Sequence, residues 1–296
     1  MNLRHSDLEA LLELAIASAQ RAGAHIQSKV GRHGKTLSKM AGDTLASQVV
    51  TKVDLESESI IVDALRDSLS RYELGLLTEE SEDDSSRLKS DYFWCIDPID
   101  GTLPFSEGQP GYSVSIALVS RQGEPLIGVI QDPASSTLYH AMRGAGAWKN
   151  NQRISKVNEV PSQRLTWAMD RSMKQLPNFP HIQLKMEELA QQLNLEGLHI
   201  LDQSGSVLNA CSIIEHCPGT YFKFAKPNSG GGSVWDFAAT ACLAQELDVT
   251  ASDIFGQPLQ LNPVASTFMN AKGVLYASSA ELSKSVRSIF QQITEF

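Results

Sequence analysis

The sequence predicts an α/β protein (α+β in its first half) that is built from two layered halves. Residues 74–149 contain several strand-like segments in quick succession, whereas strands and helices alternate after about residue 160. Strands first and alternation later indicate two layered α/β halves. A chain of 296 residues with 42% hydrophobic residues is large enough for a real core. We place the halves at 1–155 and 156–296 and expect one compact unit.

Helices and then strands are expected in the first half. Residues 6–9, Ser-Asp-Leu-Glu, have the spacing of a capping box, and apolar residues at helical spacing follow it to about residue 28. Glycines, basic residues and small polar residues at 31–46 predict a mobile loop or loose hairpin. Residues 48–53 are typical of a short strand or an extended lead into a second helix. Strands are predicted at 74–78, 92–97, 112–120, 125–131, 137–142 and 146–149.

Strands and helices alternate in the second half. A glycine run at 230–232 separates the last predicted strand but one from the helix that follows it. Strands are predicted at 165–169, 197–201, 219–224 and 273–278, and helices at 181–194, 205–216, 236–246 and from residue 280 onward.

Composition and charge exclude several classes of protein. A net charge of −9 argues against nucleic acid as a partner, since a phosphate backbone requires a basic face. An anionic substrate is still compatible, because acidic residues bind it through metal ions. The seven histidines form no zinc motif, and the four cysteines lack CxxC spacing, which favours reduced thiols. No signal-like N-terminus or membrane-spanning apolar run is present, so we expect a soluble cytoplasmic protein.

The most informative stretch is Asp97-Pro98-Ile99-Asp100-Gly101-Thr102. It follows an aromatic-rich, strand-like segment at 92–96, so its two acids emerge where a buried strand ends. The turn after them can present backbone N–H groups to an anion. Carboxylate oxygens suit a hard cation such as Mg²⁺. The stretch therefore predicts a metal and phosphate site, although Asp-Pro and Asp-Gly are also ordinary turn signals.

Three further acidic positions have both a functional and a purely structural interpretation. Glu79 and Glu80 follow an apolar run, and either belong to the site or lie in a solvated acidic turn at 79–84. Asp54 and Asp236 begin amphipathic helices, where an aspartate is usually an N-cap. The combination of all these acids in one chain favours the functional interpretation.

The motifs together resemble those of the inositol monophosphatase superfamily. The resemblance rests on Asp97-Pro98-Ile99-Asp100-Gly101-Thr102, Glu79-Glu80-Ser81 and Trp235-Asp236-Phe237-Ala238-Ala239, in this order, and extends from residue 50 to 273. That superfamily includes inositol phosphatases, 3′(2′),5′-bisphosphate nucleotidases and, more distantly, fructose-1,6-bisphosphatases. It implies a layered αβαβα sandwich, with Asp54, Glu79 and the first motif in the first half and Asp236 in the second.

The resemblance also implies roles for the acids. Glu79, Asp97 and the backbone carbonyl of Ile99 are expected to hold one Mg²⁺, and Asp97, Asp100 and Asp236 a second. A third, weaker Mg²⁺ would rest on Glu79 and water, so two to three ions are expected. Asp100 and Asp236 are also expected to border the substrate.

Catalytic and phosphate-binding groups follow from the same resemblance. Asp54 and Thr102 are expected to form a hydrogen-bonded pair that orients and deprotonates the attacking water, and Glu79 to act beside them. The N–H groups of Gly101 and Thr102 are expected to bind the phosphate. Glu80 either supports the site or lies at the surface.

Substrate identity depends on residues that depart from the inositol-specific pattern. Lys223 stands where inositol-specific members typically have a glutamate, and a cation there resembles the nucleotidases, whose basic residue meets a second phosphate. Lys223 could also simply point to solvent. Pro104 lacks a donor and should alter the pocket wall. Lys35 and Lys39 could close over the site, or remain solvated.

The favoured hypothesis is a Mg²⁺-dependent, Li⁺-sensitive phosphomonoesterase acting on a small phosphorylated metabolite of the inositol monophosphate type. The runner-up is a 3′(2′),5′-bisphosphate nucleotidase acting on adenosine 3′,5′-bisphosphate. A catalytically silent, phosphate-ligand-binding regulatory module is a lesser alternative, which the complete set of acids argues against. The resemblance also makes a homodimer possible, and no membrane or nucleic-acid partner is expected.

Overall fold

The structure is a computed structural model that describes residues 3–30, 45–154, 162–227 and 230–294. Its α-helices are α1 (His5–Lys29), α2 (Leu45–Arg71), α3 (Thr102–Ser106), α4 (Phe179–Gln192), α5 (Ser206–Glu215), α6 (Val234–Glu246) and α7 (Ala280–Thr294). Its strands are β1 (Gly75–Thr78), β2 (Tyr92–Asp100), β3 (Ser113–Ser120), β4 (Pro125–Asp132), β5 (Thr137–Met142), β6 (Gly146–Lys149), β7 (Gln152–Arg153), β8 (Leu165–Ala168), β9 (Leu198–Leu201), β10 (Gly219–Lys223), β11 (Thr250–Ser252) and β12 (Val274–Ala277). Two short 3-10 helices lie at Ser86–Leu88 and Arg171–Gln175.

The strands form two sheets. The first has seven strands in the order β1 to β7, with β1 parallel to β2 and every later pair antiparallel. The second has five strands in the order β11-β12-β10-β8-β9, in which β8 is parallel to both of its neighbours. Strands β10 and β12 are antiparallel, so the second sheet is mixed.

Helices cover these sheets in three layers. On one face of the first sheet, α1 and α2 pack residues such as Leu11 and Ile61 against Trp94 of β2. Between the two sheets lie α5 and α6, whose apolar residues pack in one buried cluster with both sheets. On the outer face of the second sheet, α4 and α7 pack against Trp167 and its neighbours. The order is therefore helices, sheet, helices, sheet, helices, which confirms the αβαβα sandwich.

Several predicted boundaries were wrong. Residues 48–53 are helical, because α2 begins at Leu45. The strand prediction rested on the intrinsic propensity of β-branched residues, which is a weak guide to secondary structure. Helix α1 begins one residue before Ser6, and the Asp7 carboxylate accepts the backbone N–H of Arg4 at 3.0 Å, so the Ser6–Glu9 capping box is not used. The short elements α3, β7 and β11 were not predicted.

Some predictions fall outside the described residues. Lys35 and Lys39 belong to residues 31–44, and the boundary between the halves belongs to residues 155–161, so both interpretations remain predictions. All four cysteines are free thiols, and three of them are buried. Among the described helices, none combines the length and the apolar character needed to cross a bilayer.

Candidate active site

Strands β1 and β2 bring the first acids together. They run parallel, and the N–H of Glu79, just past β1, donates to the carbonyl of Ile96 at 3.2 Å. Glu79 therefore lies beside Asp97, the next residue of β2. Glu79 follows β1 and Asp97 lies in the last part of β2, which extends to Asp100, so both acids are near the carboxyl ends of adjacent parallel strands, at one edge of the sheet.

A β-bulge turns Asp97 and Asp100 to the same side. Asp97 pairs with Ser115 and Asp100 with Ser113, so three steps along β2 match two steps along β3. In a regular strand, side chains three residues apart point to opposite faces. The extra residue in the bulge, next to Pro98, restores a common direction. The Ser57 hydroxyl of α2 donates to the Pro98 carbonyl at 3.2 Å and fixes this segment.

Asp236 completes a cluster of three carboxylates. One oxygen each from Asp97, Asp100 and Asp236 lies within 4.8 Å of the others. Asp97 is 1% exposed, and its Oδ1 is buried without a hydrogen-bond partner. Burial, followed by the charge of Glu79, raises the pKa of Asp97 well above its usual range. Hard oxygen donors with an unsatisfied buried atom fit Mg²⁺, which would satisfy that oxygen and offset the repulsion.

Asp236 is also a structural residue of α6. Its Oδ2 accepts the backbone N–H of Ser233 at 2.5 Å, in a capping box that begins the helix. The N-cap interpretation of Asp236 was therefore wrong, because Ser233 is the N-cap and Asp236 is the third helical residue of the capping box, a role compatible with its place in the cluster. Helix α6 is tied to the first sheet by the Ser115 hydroxyl, which donates to the Trp235 carbonyl at 3.1 Å.

The backbone of Glu80 is held by Glu58, a residue that the sequence analysis missed, and the role of the Glu80 side chain stays a prediction. Glu58 of α2 is 6% exposed, and its Oε2 accepts the N–H of Glu80 at 3.1 Å. Its other oxygen accepts the hydroxyl of Ser81. Glu58 therefore holds the turn that carries Glu79. Its position four residues after Asp54, on the same helix face, was the signal that could have found it.

Asp54 is not an N-cap. It lies well inside α2 and is 3% exposed. Burial, together with the charges of Glu80 and Glu79, raises the pKa of Asp54 to about 8. Thr102 is exposed at the start of α3, and no hydrogen bond joins these two described side chains. The catalytic pairing of Asp54 with Thr102 stays a prediction.

A cavity of about 290 Å³ opens over the acids. At its edge Gly101 has φ +82°, and a Cβ there would lie 2.5 Å from the carbonyl oxygen of Gly111, so the turn requires glycine. Pro104 lines the wall, as expected, and Asp54 does not. The predicted site residues that line the cavity are Glu79, Asp97, Ile99, Asp100, Gly101, Thr102, Lys223 and Asp236.

Lys223 points into the cavity and not to solvent. It ends β10, its side chain is 11% exposed, and its Nζ lies 2.9 Å from Oδ2 of Asp170. It also donates to the Ser206 hydroxyl at 2.8 Å. Burial opposes its charge, but Asp170 and Asp236 outweigh burial and raise the pKa of Lys223. The solvent-facing interpretation was therefore wrong, and Asp170 is a cavity residue that the sequence analysis missed.

Comparison with known proteins identifies the family. The profile of the inositol monophosphatase family matches residues 7–295. The chain belongs to the inositol monophosphatase family. It is accordingly a phosphatase, a hydrolase of phosphoric monoesters, and the resemblance drawn from the three motifs is confirmed.

Relatives and structural neighbours of this chain carry three kinds of name. Nus factor SuhB of Vibrio cholerae is 29% identical over 291 residues, covering 96% of each chain. The 3′(2′),5′-bisphosphate nucleotidase CysQ of Shigella flexneri is 30% identical, over 75% of this chain and 82% of CysQ. Inositol monophosphatase-II from Staphylococcus aureus has the same fold, with a TM-score of 0.72, 22% identity and 94% of each chain covered. SaIMPase-II has been solved with inositol monophosphate bound and with 2′-AMP bound.

Proposed function

We propose that this inositol monophosphatase family member is a Mg²⁺-dependent phosphomonoesterase that acts on a small phosphorylated metabolite of the inositol monophosphate type. The observation that carries the proposal is the convergence of Asp97, Asp100 and Asp236 beneath an open cavity, with Oδ1 of Asp97 unsatisfied. Four acids supply enough oxygen ligands for two to three Mg²⁺ ions when Glu79 and the Ile99 carbonyl are included.

Bound Mg²⁺ would neutralise the phosphate dianion and lower the pKa of an attacking water. The proposed ligands lie on regular elements or directly beside them: Asp97 and Asp100 in β2, Glu79 directly after β1, and Asp236 in α6. Asp100 and Asp236 also border the space where the substrate would lie.

The first turn of α3 is the proposed phosphate-binding element. Amide groups at a helix start have no acceptor within the helix, so the N–H groups of Gly101 and Thr102 are suited to phosphate oxygens. Asp54 is proposed to exchange a proton with the attacking water through the Thr102 hydroxyl. Burial of Asp54 supports this, because a base with a pKa near the working pH is most effective.

A bisphosphate nucleotidase is the second candidate. Lys223 lies in the cavity, and the CysQ relative at 30% identity is named as such an enzyme. The ligands of SaIMPase-II, inositol monophosphate and 2′-AMP, support a small phosphorylated substrate in either case. Inhibition by Li⁺ and a homodimer remain predictions from the family resemblance, and a cytoplasmic location remains a prediction from the sequence.

Phosphate release from a substrate panel, with and without Mg²⁺, tests the proposal. The panel holds inositol 1-phosphate, adenosine 3′,5′-bisphosphate, fructose 1,6-bisphosphate and histidinol phosphate. We expect release that requires Mg²⁺ and is fastest with inositol 1-phosphate. Preference for the nucleotide would favour the second candidate. No release, together with no rise in melting temperature on adding Mg²⁺, would favour the silent regulatory module.

A further inference from the structure

Cations on the cavity wall are already paired with carboxylates of this chain. Among the described residues that line the cavity, the basic ones are Arg171 and Lys223. Lys223 pairs with Asp170, and Arg171 pairs with Glu107. Apart from metal ions that the acids would bind, this wall therefore offers an incoming substrate no positively charged side chain without a carboxylate partner.

The Lys223 pair is fixed on both sides. Of the three N–H donors of an ammonium group, one is directed to Asp170 and one to the Ser206 hydroxyl, at 2.9 and 2.8 Å. The ring of Phe237 lies beside the ammonium, with its centroid at 5.7 Å. Asp170 is held in turn, since its Oδ1 accepts the hydroxyl of buried Tyr221 at 3.1 Å. Neither partner is free to turn toward a ligand without losing a buried contact.

Arg171 is similarly committed at the rim. Its NH1 lies 2.9 Å from both carboxylate oxygens of Glu107, and its NH2 donates to Gln203 at 3.3 Å. This pair is more exposed than the Lys223 pair, so water screens it more strongly. The buried pair is the one whose rearrangement would be costly.

We propose that Asp170 determines substrate preference by withholding Lys223 from a second phosphate. The inference rests on the proposed phosphatase function. A bisphosphate would either place its second dianion beside the Asp170 carboxylate or pull Lys223 away and leave a largely buried carboxylate unpaired, and both cost free energy. The chain therefore favours monophosphates whose remaining groups are uncharged and hydrogen-bonding.

A matched pair of substrates isolates the second phosphate. Adenosine 3′-monophosphate and adenosine 3′,5′-bisphosphate differ only at the 5′ position, and glucose 1-phosphate with glucose 1,6-bisphosphate repeats the comparison on a sugar. For each pair we define the bisphosphate preference as the ratio of kcat/KM values, bisphosphate over monophosphate. We expect the unmodified protein to give a ratio below one.

Asp170→Asn should raise that ratio. Asparagine keeps an oxygen acceptor for Tyr221 but removes the charge that holds Lys223. We expect the ratio to rise by about tenfold or more, mainly through a lower KM for the bisphosphate, since charge-assisted hydrogen bonds are the strong ones. The added change Lys223→Met should cancel the rise, which a purely structural effect of Asp170 would not predict.

Asp202→Asn is the matched control. Asp202 also lines the cavity and loses the same charge, but its partner is Lys174, outside the cavity lining. We expect its ratio to change by less than about threefold, because Lys223 remains paired. Equal ratios in the Asp170→Asn and Asp202→Asn proteins would overturn the proposal, as would a bisphosphate preference in the unmodified protein that Asp170→Asn abolishes.

Two further measurements separate the possible failures. If Asp170→Asn does not fold, Lys223→Met alone decides: an unchanged ratio supports the proposal and a reduced ratio contradicts it. Calorimetric binding of the same nucleotides with Ca²⁺ in place of Mg²⁺ gives the preference without turnover. No Mg²⁺-dependent release from any monophosphate would refute the proposed function, whereas release with a bisphosphate preference refutes this inference alone.

Discussion

The backbone N–H of Ser206 donates to Oδ1 of Asp100 at 3.0 Å, and the N–H of Val207 donates to Oδ2 at 2.9 Å. The start of α5, in the middle layer, thus holds a carboxylate of β2 in the first sheet. Burial, together with the charge of Asp236, raises the pKa of Asp100, while these two hydrogen bonds oppose that rise. The acidic cluster therefore depends on how the middle layer docks on the first sheet.

Gly205→Ala should disturb this contact. A Cβ at Gly205 would lie 2.3 Å from Oδ2 of Asp100, so either α5 or the carboxylate must move. We expect a loss of about 1–3 kcal/mol in the free energy of unfolding, as for other overpacked sites, together with weaker Mg²⁺ binding. Denaturation and Mg²⁺ titration measure the two effects.

Gly219→Ala is the control for that experiment. Its Cβ would be equally crowded, at 2.3 Å from the carbonyl oxygen of His216, but away from the acids. It should lose stability while keeping its Mg²⁺ affinity. If both variants lost Mg²⁺ affinity alike, the contact between α5 and Asp100 would not be the cause.

Asp97→Asn should reduce turnover by orders of magnitude and leave the fold intact. Asp97 has the buried oxygen without a partner, and the amide removes the charge that a cation needs. Without metal, the variant should melt no lower than the unmodified protein, because a repulsive buried carboxylate is gone. Phosphate release and thermal melting are the measurements, and retained activity would contradict the metal assignment.

Asp54 predicts a pH dependence for the metal-free protein. Its pKa is about 8 in the folded state and near its usual value of about 4 when unfolded, so the folded state binds the proton more tightly. As far as Asp54 is concerned, the free energy of unfolding is therefore highest below about pH 4. It falls as the pH rises toward 8, by at most about 1.4 kcal/mol per pH unit.

Asp54→Asn should flatten this dependence. The free energy of unfolding of both proteins is measured in chelator from pH 5 to 8, and the two curves are compared. Glu79, whose pKa is also raised, to about 7, is present in both proteins and does not contribute to the difference. Parallel curves would show that Asp54 does not titrate in this range. The same variant should also lower turnover if Asp54 handles the proton of the attacking water.

Glu58→Ala should weaken Mg²⁺ binding without removing a proposed ligand. It leaves the N–H of Glu80 without its acceptor, which costs about 1–3 kcal/mol, and frees the turn that holds Glu79. Glu56→Ala, on the same helix, removes partly exposed contacts to His25, Lys29 and Lys52 and should cost about 1 kcal/mol. Equal Mg²⁺ affinities in the two variants would exclude a role for Glu58.

Most of the fold could be predicted from local patterns. The strands from β1 to β6 and the helices α5 and α6 lie within a few residues of their predicted bounds, because alternation and helical spacing report which side chains are buried. The prediction for residues 48–53 was wrong because a β-branched run favours a strand locally, whereas these residues belong to the long helix α2. The site motif was visible because its acids are close in sequence.

The sequence by itself determined the acids, their order and the family, since Asp97, Asp100 and the turn at Gly101 are local chemistry on one strand. Only the tertiary structure decided which groups hold these acids in place and how the charged side chains of the cavity are paired. The bulge that aligns Asp97 with Asp100 depends on pairing with β3, and the ion pair of Lys223 with Asp170 joins residues 53 positions apart. Such contacts arise when separate layers pack, and no local pattern encodes them.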